Sequence, residues 1–363
     1  MANNNKVKEP LFHVTKRDVM PIWQSVLVRV GAIAIAFALC ALLASLLFGR
    51  DPSDFFNAVF KGSFGSSRKM WKLAKDLAVL LCISLAVTPA FRMKFWNIGA
   101  EGQVLVGALA SAACAFYFGG KIHEALLLVI MFAASVAAGA LWAFIPAIFK
   151  AHFDTNETLF TLMMNYVATF LVAYFLIIWV PSGSSSLGEL SYGRLPKLFD
   201  NEYLFIIIAV ALLTVFMFIY LNYSKHGYEI SVVGESRKTA CYIGINVKKV
   251  IVRTMIVSGI VCGIAGFLIV AALDHTVTTE TVGGLGFTAI MVSWLAKFNP
   301  LTMVITSFLV VFLDQGGAQV SQVFDISNAF PSVFIGITLF FIIGCEFFIN
   351  YRINFIRRKK EVR

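Results

Sequence analysis

The chain is poor in the patterns that carry soluble catalysis. Only 14% of its 363 residues are Asp, Glu, Lys or Arg, and long stretches contain none. No GxxxxGK[ST] phosphate loop occurs, so any ATP hydrolysis that drives this protein is expected on another chain. The 5 histidines are scattered, with no pair at ligand spacing beside carboxylates, which argues against a metal site. The 6 cysteines, Cys40, Cys82, Cys114, Cys241, Cys262 and Cys345, have no CxxC spacing and read as packing residues rather than disulfides or metal ligands. Nothing calls for a cofactor. Paired acidic or His motifs at a membrane edge, which a lipid enzyme would need, are also missing. The first 25 residues are polar, and the apolar run after them lacks a small-residue cleavage site, so the first span is expected to be retained.

What is abundant is apolar. With 59% hydrophobic residues and a mean hydropathy of +0.82, the chain exceeds what a soluble fold can bury, and runs of membrane-spanning length recur. The expected fold is all-α, a polytopic integral membrane protein of about ten transmembrane helices. The spans fall at 30–49, 77–91, 102–120, 125–149, 158–180, 203–224, 254–273, 281–296, 301–313 and 331–345. Those at 77, 281 and 301 are shorter than the roughly 20 residues a straight crossing needs, so they are expected to be broken or re-entrant. Most of the 30 Lys and Arg collect on one side of this arrangement, which makes both termini cytosolic by the positive-inside rule. Residues 50–76 depart from that rule, with Arg50, Lys61, Arg68, Lys69, Lys72 and Lys75 on the outer side; an interfacial helix around SRKMWKLAKDL is the expected reason. The net charge of +10 is thus an inner-face charge beside anionic lipid, with no nucleic acid required.

The one long charged stretch between two apolar runs is Tyr223 to Arg253. Ser236 can cap a short helix there, Ala240, Cys241 and Ile243 can form its apolar side, and Gly244 can end it in the left-handed conformation. Such a helix, ringed by Arg237, Lys238 and Tyr242, suits docking into a groove on a cytosolic partner. A solvated, positively charged loop that only sets topology is the alternative.

Polar residues inside the spans are few. Asn97, Glu101 and Gln103 enter the third span among Gly99, Ala100 and Gly102. An intramembrane glutamate is costly and is a functional candidate by default, although a capping role for Asn97 and Glu101 is open as well. Asn165 and Tyr166 lie about two turns inside the fifth span, where Asn165 can bond another helix or line a polar path. Gly259, Gly263 and Gly266 of SGIVCGIAG form a face for close helix packing. Gly283, Gly284 and Gly286 argue for a broken start to a half-helix that lines a cavity. The Ser- and Gly-rich stretch from Pro181 to Glu202 reads as an irregular outer loop. No Lys or Arg lies well inside any span from Leu77 to Cys345, so an anionic substrate would find no partner; hydroxyl and amide groups, with rings such as Tyr166 and Trp294, suit a neutral polar molecule.

FWNIGAEGQ from Phe95, NETLFTLMMNY from Asn156, and GESRKTACYIGINVKKV followed by SGIVCGIAG resemble the permease subunits of ABC importers for nucleosides and simple sugars. That superfamily includes branched-chain amino-acid and ribose permeases. The likeness spans about residues 50–345. It implies a cytosolic tail over 1–25, a permease domain over 26–350 and a basic cytosolic tail over 351–363, in a bacterial cell membrane. It also implies that the cytosolic loop is a coupling helix gripped by an ATP-binding subunit through Glu235, Ser236, Arg237, Lys238, Ala240, Tyr242 and Gly244. Asn97, Glu101, Gln103, Asn165, Tyr166 and Trp294 become candidates for the translocation path. The implied partners are that ATP-binding subunit, a second homologous permease, an extracellular substrate-binding lipoprotein and the lipid membrane. The implied function is nucleoside import by alternating access, with no catalysis by this chain. Simple-sugar or branched-chain amino-acid import is the alternative within the superfamily. An ion-coupled secondary transporter is the alternative outside it, and would need intramembrane carboxylates, for which only Glu101 and Asp314 come near.

Overall fold

The computed structural model describes residues 12–17, 20–180, 186–199, 201–327 and 329–355. The far ends of both expected tails, and residues 181–185 and 200 of the expected outer loop, lie outside the described residues. The chain is helical almost throughout, in two compact units: residues 66–312, and residues 1–65 together with 313–363.

The larger unit holds α3 (Ser67–Arg92), α4 (Ala100–Phe118), α5 (Glu124–Phe153), α6 (Glu157–Trp179), α7 (Leu204–Tyr223), α8 (Lys225–Glu235), α9 (Arg237–Tyr242), α10 (Val247–Leu268), α11 (Leu285–Leu295) and the first half of α12 (Pro300–Phe324). The helices α3, α4 and α10 are buried over most of their apolar lengths, whereas less than a third of α5, α6 and α7 is buried. The first three form the unit's centre. Small residues let the backbones close on it: a Cβ on Gly259 would lie 2.4 Å from the Gly139 carbonyl oxygen, and one on Gly263 2.5 Å from that of Ser135. Lipid offers no hydrophobic drive for helix association, so close approach and hydrogen bonds must supply it. The Ser135 hydroxyl adds to both, lying 2.8 Å from the Gly107 oxygen and 2.7 Å from that of Gly263, which joins α4, α5 and α10. The packing role expected of SGIVCGIAG is therefore present.

Beyond Leu268 the helix widens to a π-helical segment, Ile269–Asp274. Widening changes which carbonyls remain inside the ladder, and the Ala271 oxygen accepts from Leu195 N–H at 2.8 Å. Leu190 N–H likewise reaches the His275 oxygen at 2.7 Å, and Ser186 bridges Thr278. The described part of the loop before α7 is thus stitched by its backbone to the end of this span, more ordered than a Ser- and Gly-rich composition suggests.

The smaller unit contains β1 (Phe12–Lys16), α1 (Ile22–Phe48), α2 (Pro52–Phe64), the second half of α12, α13 (Phe330–Asn350) and β2 (Tyr351–Phe355). Here α1 packs on α13, with the Arg29 guanidinium on the Glu346 carboxylate and Phe37 edge-on to Phe334. Phe55 of α2 is buried against Phe334 and Phe330. The strands β1 and β2 pair antiparallel from Phe12↔Phe355 to Lys16↔Tyr351.

Among the described residues, nine helices are long and apolar enough to cross a membrane, and α11 is a shorter apolar one. Two expectations are corrected. The span at 77 is not short, because SRKMWKLAKDL forms the first turns of the 26-residue α3, capped by Ser66 accepting from Lys69 N–H at 3.3 Å; the separate short helix of this region is α2. The span at 301 is also long, since α12 runs for 25 residues through Asp314, Gly316 and Gly317. Helix continuity needs backbone bonds rather than an unbroken apolar run, and polar residues facing other helices leave it intact. Only the span at 281 is a half-helix, as its three glycines suggest.

Candidate functional site

Two regions of the larger unit hold the expected site residues. The first is its basic end. Ser224 caps α8, accepting from Gly227 N–H at 3.0 Å, and Ser236 caps α9, accepting from Thr239 N–H at 3.2 Å. Gly244, at φ 84, ends α9 in the left-handed region, where a Cβ would be strained. Tyr242 is 91% exposed, and Glu235, Arg237, Lys238, Cys241 and Ile243 are exposed too. Ala240 differs: it is 0% exposed and faces its own chain. The exposed apolar surface of α9 is therefore Cys241, Tyr242 and Ile243, while Ala240 seats the helix, as one side of any short helix lying on a protein must.

One ion pair between exposed side chains links α9 to the end of α5. Asp154, in the left-handed conformation just past α5, accepts from Arg237 at 3.4 Å and from Lys150 at 2.8 Å. Lys150 also holds Glu157, in the first turn of α6, at 2.9 Å. The Lys150 hydrogen bond, its charge and then Arg237 hold the Asp154 carboxyl below its usual range. Nearby, Glu229 of α8 pairs with Arg253 of α10 at 2.8 Å, and that bond keeps its carboxyl low as well. The sequence shows the charges of this loop but not their partners, which come from elements up to 83 residues away.

The second region lies where α4 begins. The Glu101 carboxylate accepts from Gly284 N–H at 2.8 Å and from Gly286 N–H at 2.7 Å. These groups start α11, whose N-terminus has no side-chain cap of its own. A carboxylate there satisfies orphan donors and meets the positive end of the helix dipole. Glu101 is thus a cap, as one reading of the sequence allowed, but of a helix more than 180 residues along the chain rather than its own.

Asn97 and Gln103 are fully buried and bond each other at 3.3 Å, and Asn97 also reaches Ser258 of α10 at 3.4 Å. Asn165 of α6 grips the same segment twice, accepting from Gly102 N–H at 2.9 Å and donating to the Ile98 oxygen at 3.0 Å. One turn earlier, the Thr161 hydroxyl accepts from Ile98 N–H at 3.1 Å. Tyr166 points away from this cluster and is exposed on the outer face of α6. Trp294 is half-exposed and tilted against Trp96, with centroids 5.2 Å apart, in a cluster with Phe91 and Phe298. Structure therefore brings Asn97, Glu101, Gln103 and Asn165 together and leaves Tyr166 and Trp294 outside that network. Thr161 and Ser258 were not singled out from sequence. The four-residue spacing of Thr161 and Asn165, which puts both on one helical face, is the signal that could have found the first.

The family described as the branched-chain amino acid transport system / permease component matches residues 70–343. The chain is 30% identical over 339 residues to the guanosine ABC transporter permease protein NupP of Bacillus subtilis (strain 168), covering 91% of this chain and 95% of that one. It is 26% identical to the glucose ABC transporter permease protein TsgB13 of Haloferax volcanii, covering 93% and 92%. It is 25% identical to the nucleoside ABC transporter permease protein NupB of Lactococcus lactis subsp. cremoris, covering 81% and 84%. With that match over most of its length and nine membrane-length helices among its described residues, the chain belongs to the branched-chain amino acid transport system / permease component family and is a multi-pass ABC transporter permease.

Proposed function

We propose that this chain is the permease subunit of an ATP-driven nucleoside importer, forming half of a translocation path that opens alternately to each side of a bacterial cell membrane. The observation that carries the reading is α9: a capped, glycine-terminated helix that exposes Tyr242, Cys241 and Ile243 amid Arg237 and Lys238 at the basic end of a family permease. An ATP-binding subunit docks there and hydrolyses ATP, since this chain has no phosphate loop. The gathering of Arg92, Lys94, Lys150, Arg237, Lys238 and Arg253 near that end supports a cytosolic orientation for it. A second homologous permease completes the path, with Tyr166 and its neighbours on the exposed face of α6 turned toward it, and an extracellular lipoprotein delivers the substrate.

Nucleosides are the substrate class the relatives favour, two of them being named for guanosine or nucleoside transport. The interior is consistent with that choice, since Lys and Arg occur only near span ends in the larger unit and an anion would lack a charged partner. Glucose transport is the second reading, favoured by the archaeal relative. The test is competition in whole cells whose nucleoside uptake depends on this chain. Unlabelled nucleoside should compete strongly and nucleotide, ribose, glucose and leucine weakly. Stronger competition by a sugar or leucine would move the protein to another branch of the family, and competition by nucleotide would defeat the neutral-substrate argument.

A further inference from the structure

A continuous series of polar contacts runs through the larger unit from α9 to α11. Asp154 joins Arg237 of α9 to Lys150 of α5, and Lys150 holds Glu157 of α6. One and two turns along α6, Thr161 and Asn165 hold the 98–102 segment by three hydrogen bonds. On that segment, the Glu101 carboxylate holds the first amides of α11. We propose that this series is the path by which movement at the docking helix reaches the half-helix, with Thr161, Asn165 and Glu101 as its positioning residues. The proposal rests on the reading of α9 as the ATPase docking site.

Physical coupling needs an element with two arrangements that both sites bias, and the proposal assigns that role to α11. It is 11 residues long, below the length at which a helix holds by itself. It follows Gly283 and Gly284, both at positive φ, which permit the preceding chain to swing. What fixes its start is the Glu101 carboxylate. A shift of α6 carries Ile98 to Gly102 with it through bonds of 2.9 to 3.1 Å, and so moves or releases that clamp. Asn97, bonded to Gln103 and to Ser258, ties the same segment to the unit's centre and makes it respond as one piece.

The experiment uses the intact transporter, purified through a tag on this chain with the subunits that accompany it and placed in liposomes with labelled guanosine as probe. The quantity read is guanosine transported per ATP hydrolysed. Glu101→Gln, which keeps shape but replaces one acceptor oxygen with an amide NH₂, and Thr161→Val, which removes only the hydroxyl, should each lower this ratio about tenfold. The amount of ATPase recovered per permease should not change. Thr161→Ser should restore the ratio, which side-chain packing alone would not achieve. Asp154→Asn combined with Glu101→Gln should lower it no further than the worse single change, because links in series fail together, whereas independent sites multiply. Normal ratios with Glu101→Gln and Thr161→Val, or a multiplicative double variant, would overturn the path while leaving α9 as the docking site. Should Glu101→Gln fail to fold, the Thr161→Val and Thr161→Ser pair decides alone. Wild-type protein that recovers no ATPase, or carries no guanosine, would instead sink the functional reading on which the path rests.

Discussion

The Glu101 carboxylate on α4 and the Gly286 amide that opens α11 are 2.7 Å apart, and with the Gly284 amide at 2.8 Å they make one side chain the N-terminal cap of a half-helix distant in sequence. Removing the carboxylate leaves two part-buried donors without their partner. Glu101→Leu should therefore destabilise the protein by about 1–3 kcal/mol for each lost bond, and Glu101→Gln, which keeps one acceptor, by less. Thermal unfolding in detergent should rank wild type above Glu101→Gln and both above Glu101→Leu. Equal stability of all three would show that the cap does not hold.

Close helix packing makes a second expectation. Gly259→Val places side-chain atoms where a Cβ alone would already lie 2.4 Å from the Gly139 oxygen, so α5 and α10 must separate, at a cost of about 1–3 kcal/mol or more. Gly336 of α13 has nothing within 4 Å of such a position, and Gly336→Ala should be neutral or stabilising by up to about 1 kcal/mol. The same unfolding assay checks both, and a tolerated Gly259→Val would contradict the packing described for the larger unit.

Substitutions on α9 should separate by which way the residue faces. Ala240→Asp buries a carboxylate among the protein's own atoms, at a cost of about 1–3 kcal/mol or more, and should reduce the yield of folded protein. Tyr242→Ala changes only an exposed ring, so stability should hold while recovery of the ATPase subunit falls. Size-exclusion profiles and the composition of the purified complex read the two effects separately. Undiminished ATPase recovery with Tyr242→Ala would remove Tyr242 from the docking surface.

How α9 could be read from sequence, and how far, follows from locality. Ser236 and Gly244 act within a few residues of themselves, so the cap and the stop were legible as letters. The inward turn of Ala240 was not, because it depends on which neighbours lie beneath the helix. Gly283, Gly284 and Gly286 disclosed a broken helix by the same local logic, yet the residue that caps it stands in α4. Span lengths at 77 and 301 were misjudged for a related reason: charged turns at Arg68 to Asp76 and polar ones at Asp314 to Gln319 interrupt the apolar pattern without interrupting the helix. Buried partners such as Ser258 carry no local mark at all.

The tether at Asp154 has a defined pH range. Lys150 and then Arg237 lower its carboxyl below the unfolded value of about 3.9, so its contribution is complete above that value and is lost only as pH falls through the lower, folded one. The pair should thus be indifferent to pH between about 6 and 8.5. Asp154→Asn should speed tryptic cleavage at Arg237 and Lys238, with the same ratio to wild type at each pH in that range. A ratio that drifts with pH there would assign the tether to another group.

ATP-driven nucleoside import is most directly tested by reconstitution. The transporter, purified with its accompanying subunits and sealed in liposomes, is supplied with its binding protein and labelled guanosine, with either hydrolysable ATP, a non-hydrolysable analogue or an imposed proton or sodium gradient. The account predicts uptake with hydrolysable ATP and none with the analogue or with gradients alone. Uptake driven by a gradient in the absence of ATP would contradict it.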